Sequence, residues 1–201
     1  MQNSNNKLLS TRNIAKIAIL AAIAFILMLI EFPLPFAPSF YKMDFSEIAV
    51  LMGGFAMGPW AAVVIEALKI VLHLLFKGTI TMGVGELANF LIGCALCMPA
   101  AWIYKKHKSR GSAIRGMTIG TLCMTCAGVL LNIFVLIPAY VVFANFPLDS
   151  IIAMGTQIFP AIHDIVTLAL ICVVPFNLLK GITVGVITTL LYKHVSPLLH
   201  R

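Results

Sequence analysis

Asn132, Asn177 and Lys180 are the residues that ask for chemistry in this chain, because each stands in a run that is otherwise almost all apolar. Asn132 sits inside "GVLLNIFVLIPAY", and Asn177 and Lys180 sit three apart in "PFNLLKGI", a spacing that places them on one helical face. Amide and ammonium groups in apolar surroundings must find partners, either protein groups or a ligand. For Lys180 two readings fit the spacing: a side chain snorkelling to the outer surface, or a donor in an outward-open pocket around a polar, ring-shaped solute. Glu66 and Lys69, also three apart, are expected to pair on one face. Asp44 and Glu47 in "DFSEIAVL" have the spacing of a capping box, with Asp44 as N-cap and Glu47 at the third position. That reading competes with a role for one of the two acids in a site. His73 and His163 are expected to be satisfied or exposed rather than metal-ligating. Cys94-x-x-Cys97 and Cys123-x-x-Cys126 lie inside apolar runs, not on turns, so they are read as small packing residues and no metal site is assigned.

Composition fixes the setting for these groups. Of 201 residues, 61% are hydrophobic and 10% charged, and mean hydropathy is +1.02. A soluble domain of this length has no way to hide so much apolar surface, so residues 1–201 read as one all-α integral membrane domain. No phosphate loop, nucleophile elbow or HExxH motif is present, which argues against an enzyme and against a built-in ATPase. No internal repeat of the kind found in self-sufficient carriers stands out either. Any energy for transport would have to come from separate subunits.

Six apolar stretches can be traced. The first runs from about Ile14 to Ile30 and shows no signal-peptidase site, so it is expected to stay. The segment "EFPLPFAPSFYKMD" follows, where three prolines forbid a helix and aromatics suit an interface. The second stretch, about Phe45 to Met57, is short and carries Gly53-Gly54 as a break. Pro59 starts the third, to about Phe76; the fourth covers about Gly85 to Tyr104, and the fifth about Ile114 to Val142. Short helices and loops on the outer side fill the chain to about Val174. Pro175 then starts the sixth span, whose roughly 18 residues at 1.5 Å each just cross a bilayer. On this tracing Lys180 lies one to two turns below the outer end.

The net charge of +7 is distributed as membrane topology demands. Lys7, Arg12, Lys16, Lys105, Lys106, Lys108, Arg110, Arg115, Lys193 and Arg201 fall on the side of the termini, against Lys42 and Lys77 opposite. The positive-inside bias makes both termini cytoplasmic and the basic loop an ordinary one, with no nucleic acid required as partner.

The strings "FPLPFAPSFYKMDFSEIAVLMGGFAMGP", "GELANFL", "LNIFVLIPAY" and "PFNLLKGI", in that order and over nearly the whole chain, resemble the riboflavin-specific substrate-binding (S) component of energy-coupling-factor transporters. The resemblance implies a vitamin-capture subunit of the cell membrane that binds riboflavin from outside as transported ligand, without a cofactor. It also implies docking on one transmembrane coupling protein and two ATPase subunits. By the same resemblance Asn132, Asn177 and Lys180 contact the isoalloxazine ring, and Glu47 lies near the pocket. Ile133 and Ala49 depart from the family's pattern, which has tyrosine and commonly proline there. The small-residue face of Ala15, Ala18 and Ala22 on the first span is implied as the surface that meets the coupling subunit, with an internal helix contact as the competing reading. A different vitamin or flavin as ligand, or a membrane assembly subunit without a ligand, are the alternatives.

Overall fold

The structure is a computed structural model that describes residues 10–79, 82–143 and 145–199, with side chains to Tyr192. Lys7, Arg201 and the side chain of Lys193, which entered the charge count at the chain ends, lie outside the described residues. The described residues form helices and one small hairpin, joined by short loops. Helix α1 (Thr11–Leu29) is capped by Ser10, whose hydroxyl accepts from the Asn13 amide. It leads into β1 (Phe32–Pro33) and β2 (Lys42–Met43), an antiparallel pair with Phe32 opposite Met43. Helix α2 (Ser46–Met57) follows; a turn at Gly58 then sets Pro59 at the first position of α3 (Pro59–Lys77), where its missing N–H costs nothing. Helix α4 (Val84–Lys106) returns to the basic loop, and Ser109 caps α5 (Arg110–Leu131).

The last third departs from regular geometry twice. Helix α5 passes without interruption into a π-helical turn at Asn132–Leu136 and then into α6 (Ile137–Phe143). After α7 (Leu148–Ile158), a capping box between Asp164 and Thr167 opens α8 (Ile165–Leu168). Helix α8 runs through a second π turn at Ala169–Val173 into α9 (Val174–Leu199).

The expectation that Pro175 begins the last span is therefore corrected: the apolar helix starts at Ile165 and extends to at least Tyr192. The reason is the π turn. A proline inside an α-helix removes one hydrogen bond and drives its ring into the preceding turn. A wider turn just upstream opens the space that the ring needs. Pro138 stands in the same relation to the turn at Asn132–Leu136, two residues beyond its end.

Five helical stretches are long and apolar enough to cross a membrane: Thr11–Leu29, Pro59–Lys77, Val84–Lys106, Arg110–Phe143 and Ile165–Tyr192. Helix α2 is the exception, with 12 residues. It packs against α1, α3, α4 and α9, and none of its residues is exposed. A helix sheathed by protein has no hydrocarbon thickness to match, which is why a short one suffices. The Gly53-Gly54 pair does not break it, contrary to the sequence reading. Helices α4 and α5 make the most extensive contact of the molecule. A Cβ at residue 120 would lie 2.3 Å from the Leu96 carbonyl oxygen, so Gly120 is what lets the two backbones approach.

Two apolar clusters result. One fills the bundle and includes Leu20, Ala24, Leu51, Ile65, Leu96 and Met124. The other lies between the hairpin segment and the last helices, and includes Met43, Ile137, Ile151, Ile162 and Phe176. It caps the bundle at the end opposite the 105–115 loop.

Candidate binding cavity

A cavity of about 520 Å³ lies at that capped end, and Glu47, Asn132, Asn177 and Lys180 all line it. Its wall draws on the hairpin segment (Phe40, Tyr41, Lys42, Asp44), α3 (His73, Lys77), α4 (Glu86, Asn89, Ile92), α5 (Met124), α7 (Ile151) and the two π-turn regions (Asn132, Leu136, Val173). The volume lies within the range of small-molecule sites, roughly 300–1,000 Å³, and the wall combines apolar faces with a few convergent polar groups.

Each predicted residue is held by a specific neighbour. Asn132 begins the first π turn; its amide donates to the Gly128 carbonyl at 2.8 Å, and its oxygen accepts from the Tyr41 hydroxyl at 2.5 Å. Asn177 donates to the Val173 carbonyl at 3.1 Å, the last residue of the second π turn. Helix α5 comes very close to Asn177. A Cβ at residue 128 would sit 2.4 Å from the Asn177 amide nitrogen, so a glycine is required there. Phe176 turns its ring toward Tyr41, 5.8 Å between centroids, and Phe40 and Tyr140 extend the aromatic rim.

Lys180 is 5% exposed and does not snorkel. It stands 15 residues beyond the start of α8 at Ile165, deep in the molecule rather than one to two turns below the outer end. Its ammonium group donates to Asp44 Oδ2 at 2.8 Å and lies 3.1 Å from Glu47 Oε2. Of the two kinds of partner that the sequence leaves open, protein groups or a ligand, these two carboxylates are the first. They also overturn the capping box. The N-cap position of α2 is Phe45, with no side-chain cap. Asp44 Oδ1 accepts from the Ser46 amide at 2.9 Å and the Ser46 hydroxyl at 2.5 Å, while its other oxygen faces Lys180. Glu47 serves the lysines instead of a backbone amide.

The network continues below the cavity. Lys69 pairs with Glu66 at 2.5 Å, as their spacing predicts, but also reaches Glu47 at 3.4 Å, Ser46 at 3.0 Å and Asn89 at 3.3 Å. Three carboxylates and two ammonium groups thus share one buried cluster that joins α2, α3, α4, α9 and Asp44, two residues before α2. Burial of isolated charges is prohibitive, whereas a fully paired set is tolerated. At the outer rim a second, exposed cluster ties the hairpin down: Glu31 accepts from Lys42 at 2.7 Å and from Lys77. Partial burial pushes the Glu31 carboxyl up, but the two ammonium groups outweigh it and hold the group below the usual carboxylate range.

Several residues of this wall were not legible as site residues. Tyr41 belongs to a segment whose aromatics the sequence assigns to an interface, and for Asp44 the cap reading competes with a role in a site. His73 was expected to be satisfied or exposed; it is buried, and neither ring nitrogen has a hydrogen-bond partner among the described residues. His163 is exposed. Ile133 and Ala49, the two departures from the family pattern, do not line the cavity. Ala15, Ala18 and Ala22 are exposed, and α1 makes its internal contacts through Ile17, Leu20, Ala21, Ala24 and Met28. The competing reading of that face as an internal contact is thereby removed.

Residues 12–192 match the family model described as "ECF transporter, substrate-specific component". The chain is 34% identical over 208 residues to "Riboflavin transporter RibU" of Staphylococcus aureus (strain TCH60), covering 99% of both chains. It is 31% identical over 190 residues to "Riboflavin transporter FmnP" of Bacillus subtilis (strain 168), covering 94% of both. A solved structure titled "Structure and mechanism of the S component of a bacterial ECF transporter" superposes with a TM-score of 0.72 at 34% identity, covering 94% of this chain and 97% of that one. The family is one of transporter components rather than enzymes. With a helical bundle, a polar cavity and a family match over nearly its full length, the chain belongs to the substrate-specific components of ECF transporters.

Proposed function

We propose that this chain captures riboflavin in the cavity from the outer face of the cell membrane and passes it inward as part of an ECF-type assembly. One transmembrane coupling subunit and two ATPase subunits complete that assembly. The observation that carries the reading is convergence: Asn132, Asn177, Lys180 and Glu47, chosen from sequence strings far apart in the chain, line one cavity. Asn132 and Asn177 present amides to a ring edge that offers carbonyl and N–H groups. The Lys180 ammonium, held by Asp44 and Glu47, completes that polar side. Met124, Leu136, Val173 and Phe176 supply the apolar surface that a dimethylbenzene ring requires. The printed names of the relatives support riboflavin as the ligand.

Both termini face the cytoplasm in this reading, supported by the lysine and arginine excess of the 105–115 loop. Helix α2, though short, makes the sixth crossing together with the capping segment above it. The exposed Ala15, Ala18 and Ala22 face meets the coupling subunit, since small residues let a partner helix approach closely.

Titration of the purified protein with riboflavin tests the ligand. Asn132→Ala and Asn177→Ala are each expected to weaken binding by about 10-fold to 100-fold, the effect of losing a buried hydrogen bond, while the variants remain monodisperse. Unchanged affinity in both variants would refute the pocket assignment, and a protein that ignores riboflavin would refute the ligand.

A further inference from the structure

His73 is a buried, cavity-lining imidazole to which nothing so far gives a task. It is 8% exposed, and both Nδ1 and Nε2 lack a hydrogen-bond partner among the described residues. An imidazole always carries at least one N–H donor, and in its neutral form also an acceptor, so the vacancy is a real energetic cost. In a bundle whose other buried charged groups are paired, such a vacancy marks a position completed by something else.

Its place in the fold narrows what that is. On α3, Lys69, His73 and Lys77 recur every four residues and so form one stripe. Lys69 is engaged by Glu66 and Glu47 below the cavity, and Lys77 by Glu31 at the rim. His73 lies between the two, level with the cavity. The asparagines belong to a different part of the wall: α3 packs against α1, α2 and α4, whereas Asn177 and Lys180 are on α9, which packs against α5 and α2. A ligand whose ring edge is held by Asn132 and Asn177 therefore meets His73 with another of its parts. In a flavin the apolar dimethyl end offers no hydrogen bond. The polyhydroxyl chain on the central ring does, and each hydroxyl is both donor and acceptor, the complement of a neutral imidazole.

We propose that His73 is a ligand-contacting residue that hydrogen-bonds the polyhydroxyl side chain, so that the site discriminates riboflavin from flavin rings that lack it. The proposal rests on the flavin reading given above. Its test compares two ligands, riboflavin and lumiflavin, which keeps the ring but carries a methyl group in place of the chain. In calorimetric titrations of the intact protein, His73→Phe is expected to weaken riboflavin by about 10-fold or more and to change lumiflavin by less than about 2-fold. His73→Gln, which restores a donor and an acceptor, is expected to recover most of the riboflavin affinity. An unchanged riboflavin affinity, or an equal loss for both ligands, overturns the assignment. Should His73→Phe not fold, the same pair of affinities read in His73→Leu, which also lacks donor and acceptor, decides: a loss confined to riboflavin supports the contact, and an unchanged affinity or an equal loss overturns it. A wild-type protein that binds neither flavin overturns the flavin reading itself, which is a separate result.

Discussion

Lys180 stands in the cavity wall with partners that no local pattern shows. Its type and setting mark it as functional, but its partners, Asp44 and Glu47, lie more than a hundred residues upstream, where a local spacing rule explains both acids as a helix cap. Capping signals act over three residues; ion pairing in a membrane bundle has no such range. The pairing changes what substitution does. Lys180→Met leaves Asp44 and Glu47 facing only Lys69, and loss of one partner from a buried pair costs about 3–5 kcal/mol. Thermal unfolding in detergent is expected to show that loss, and Asp44→Asn combined with Lys180→Met should recover a large part of it; strictly additive effects would sink the coupling. Glu31 makes a contrasting case at the surface. Its carboxyl is held below its ordinary value near 4.3, so its ion pairs contribute fully above that pH and are lost as pH falls through the lowered folded value. The stability gap between wild type and Glu31→Gln should be present at neutral pH and vanish in strong acid. It should not exceed about 1 kcal/mol, because Lys42 and Lys77 are two-fifths exposed. Asn132, Asn177 and Glu47 were legible as pocket candidates through the resemblance of the strings around them, and they do line the cavity. Tyr41 and His73 were not, since an aromatic in a loop and a histidine on an apolar helix each have commoner explanations.

At the scale of elements, hydropathy located the five long helices within a few residues, and only the ends at prolines went astray. Pro175 was read as a helix start because proline is favoured there and costly inside a helix; a π turn is invisible to that rule. The two π turns shape the cavity as well as accommodate the prolines. One begins at Asn132, and the other ends at Val173, the carbonyl to which Asn177 donates. Pro175→Ala removes the ring that the wider turn accommodates and lets the helix tighten, which would rotate Asn177 relative to α5. Riboflavin affinity is expected to fall by about 10-fold, on the scale of one misplaced hydrogen bond, with little change in helical content by circular dichroism. Retained affinity would show that the π turn is independent of the proline. Helix α2 was recognised as too short for an ordinary span; its protein sheath, which makes that length sufficient, is a tertiary fact that no local pattern carries.

The whole molecule has an inside and an outside to its chemistry. The cavity and its Glu31 clasp occupy the end opposite the basic 105–115 loop, while the exposed alanine face of α1 runs along the flank. With docking on that face and binding in the cavity, as proposed above, the two functions should separate in experiment. Ala18→Trp is expected to abolish riboflavin uptake by cells while leaving the affinity of the purified protein within about 2-fold, as a surface change remote from the site should. Loss of both together would place that face in the binding fold. Composition does not separate the two surfaces, because an alanine stripe serves an internal contact as well as an external one; in the structure Ala15, Ala18 and Ala22 are exposed.

The Lys180–Asp44 contact spans 136 residues, and this sets an order of events during synthesis. When the ribosome has delivered α1 through α5, Lys69 is the one buried cation available to Asp44, Glu47 and Glu66, and the second arrives only with the final helix. Until then these three carboxylates outnumber their buried ammonium partners by two, a state that favours water, lipid headgroups or the insertion machinery as temporary partners. The C-terminal helix therefore acts as the closing step of assembly, and a chain truncated before it would be expected to remain a substrate for membrane quality control.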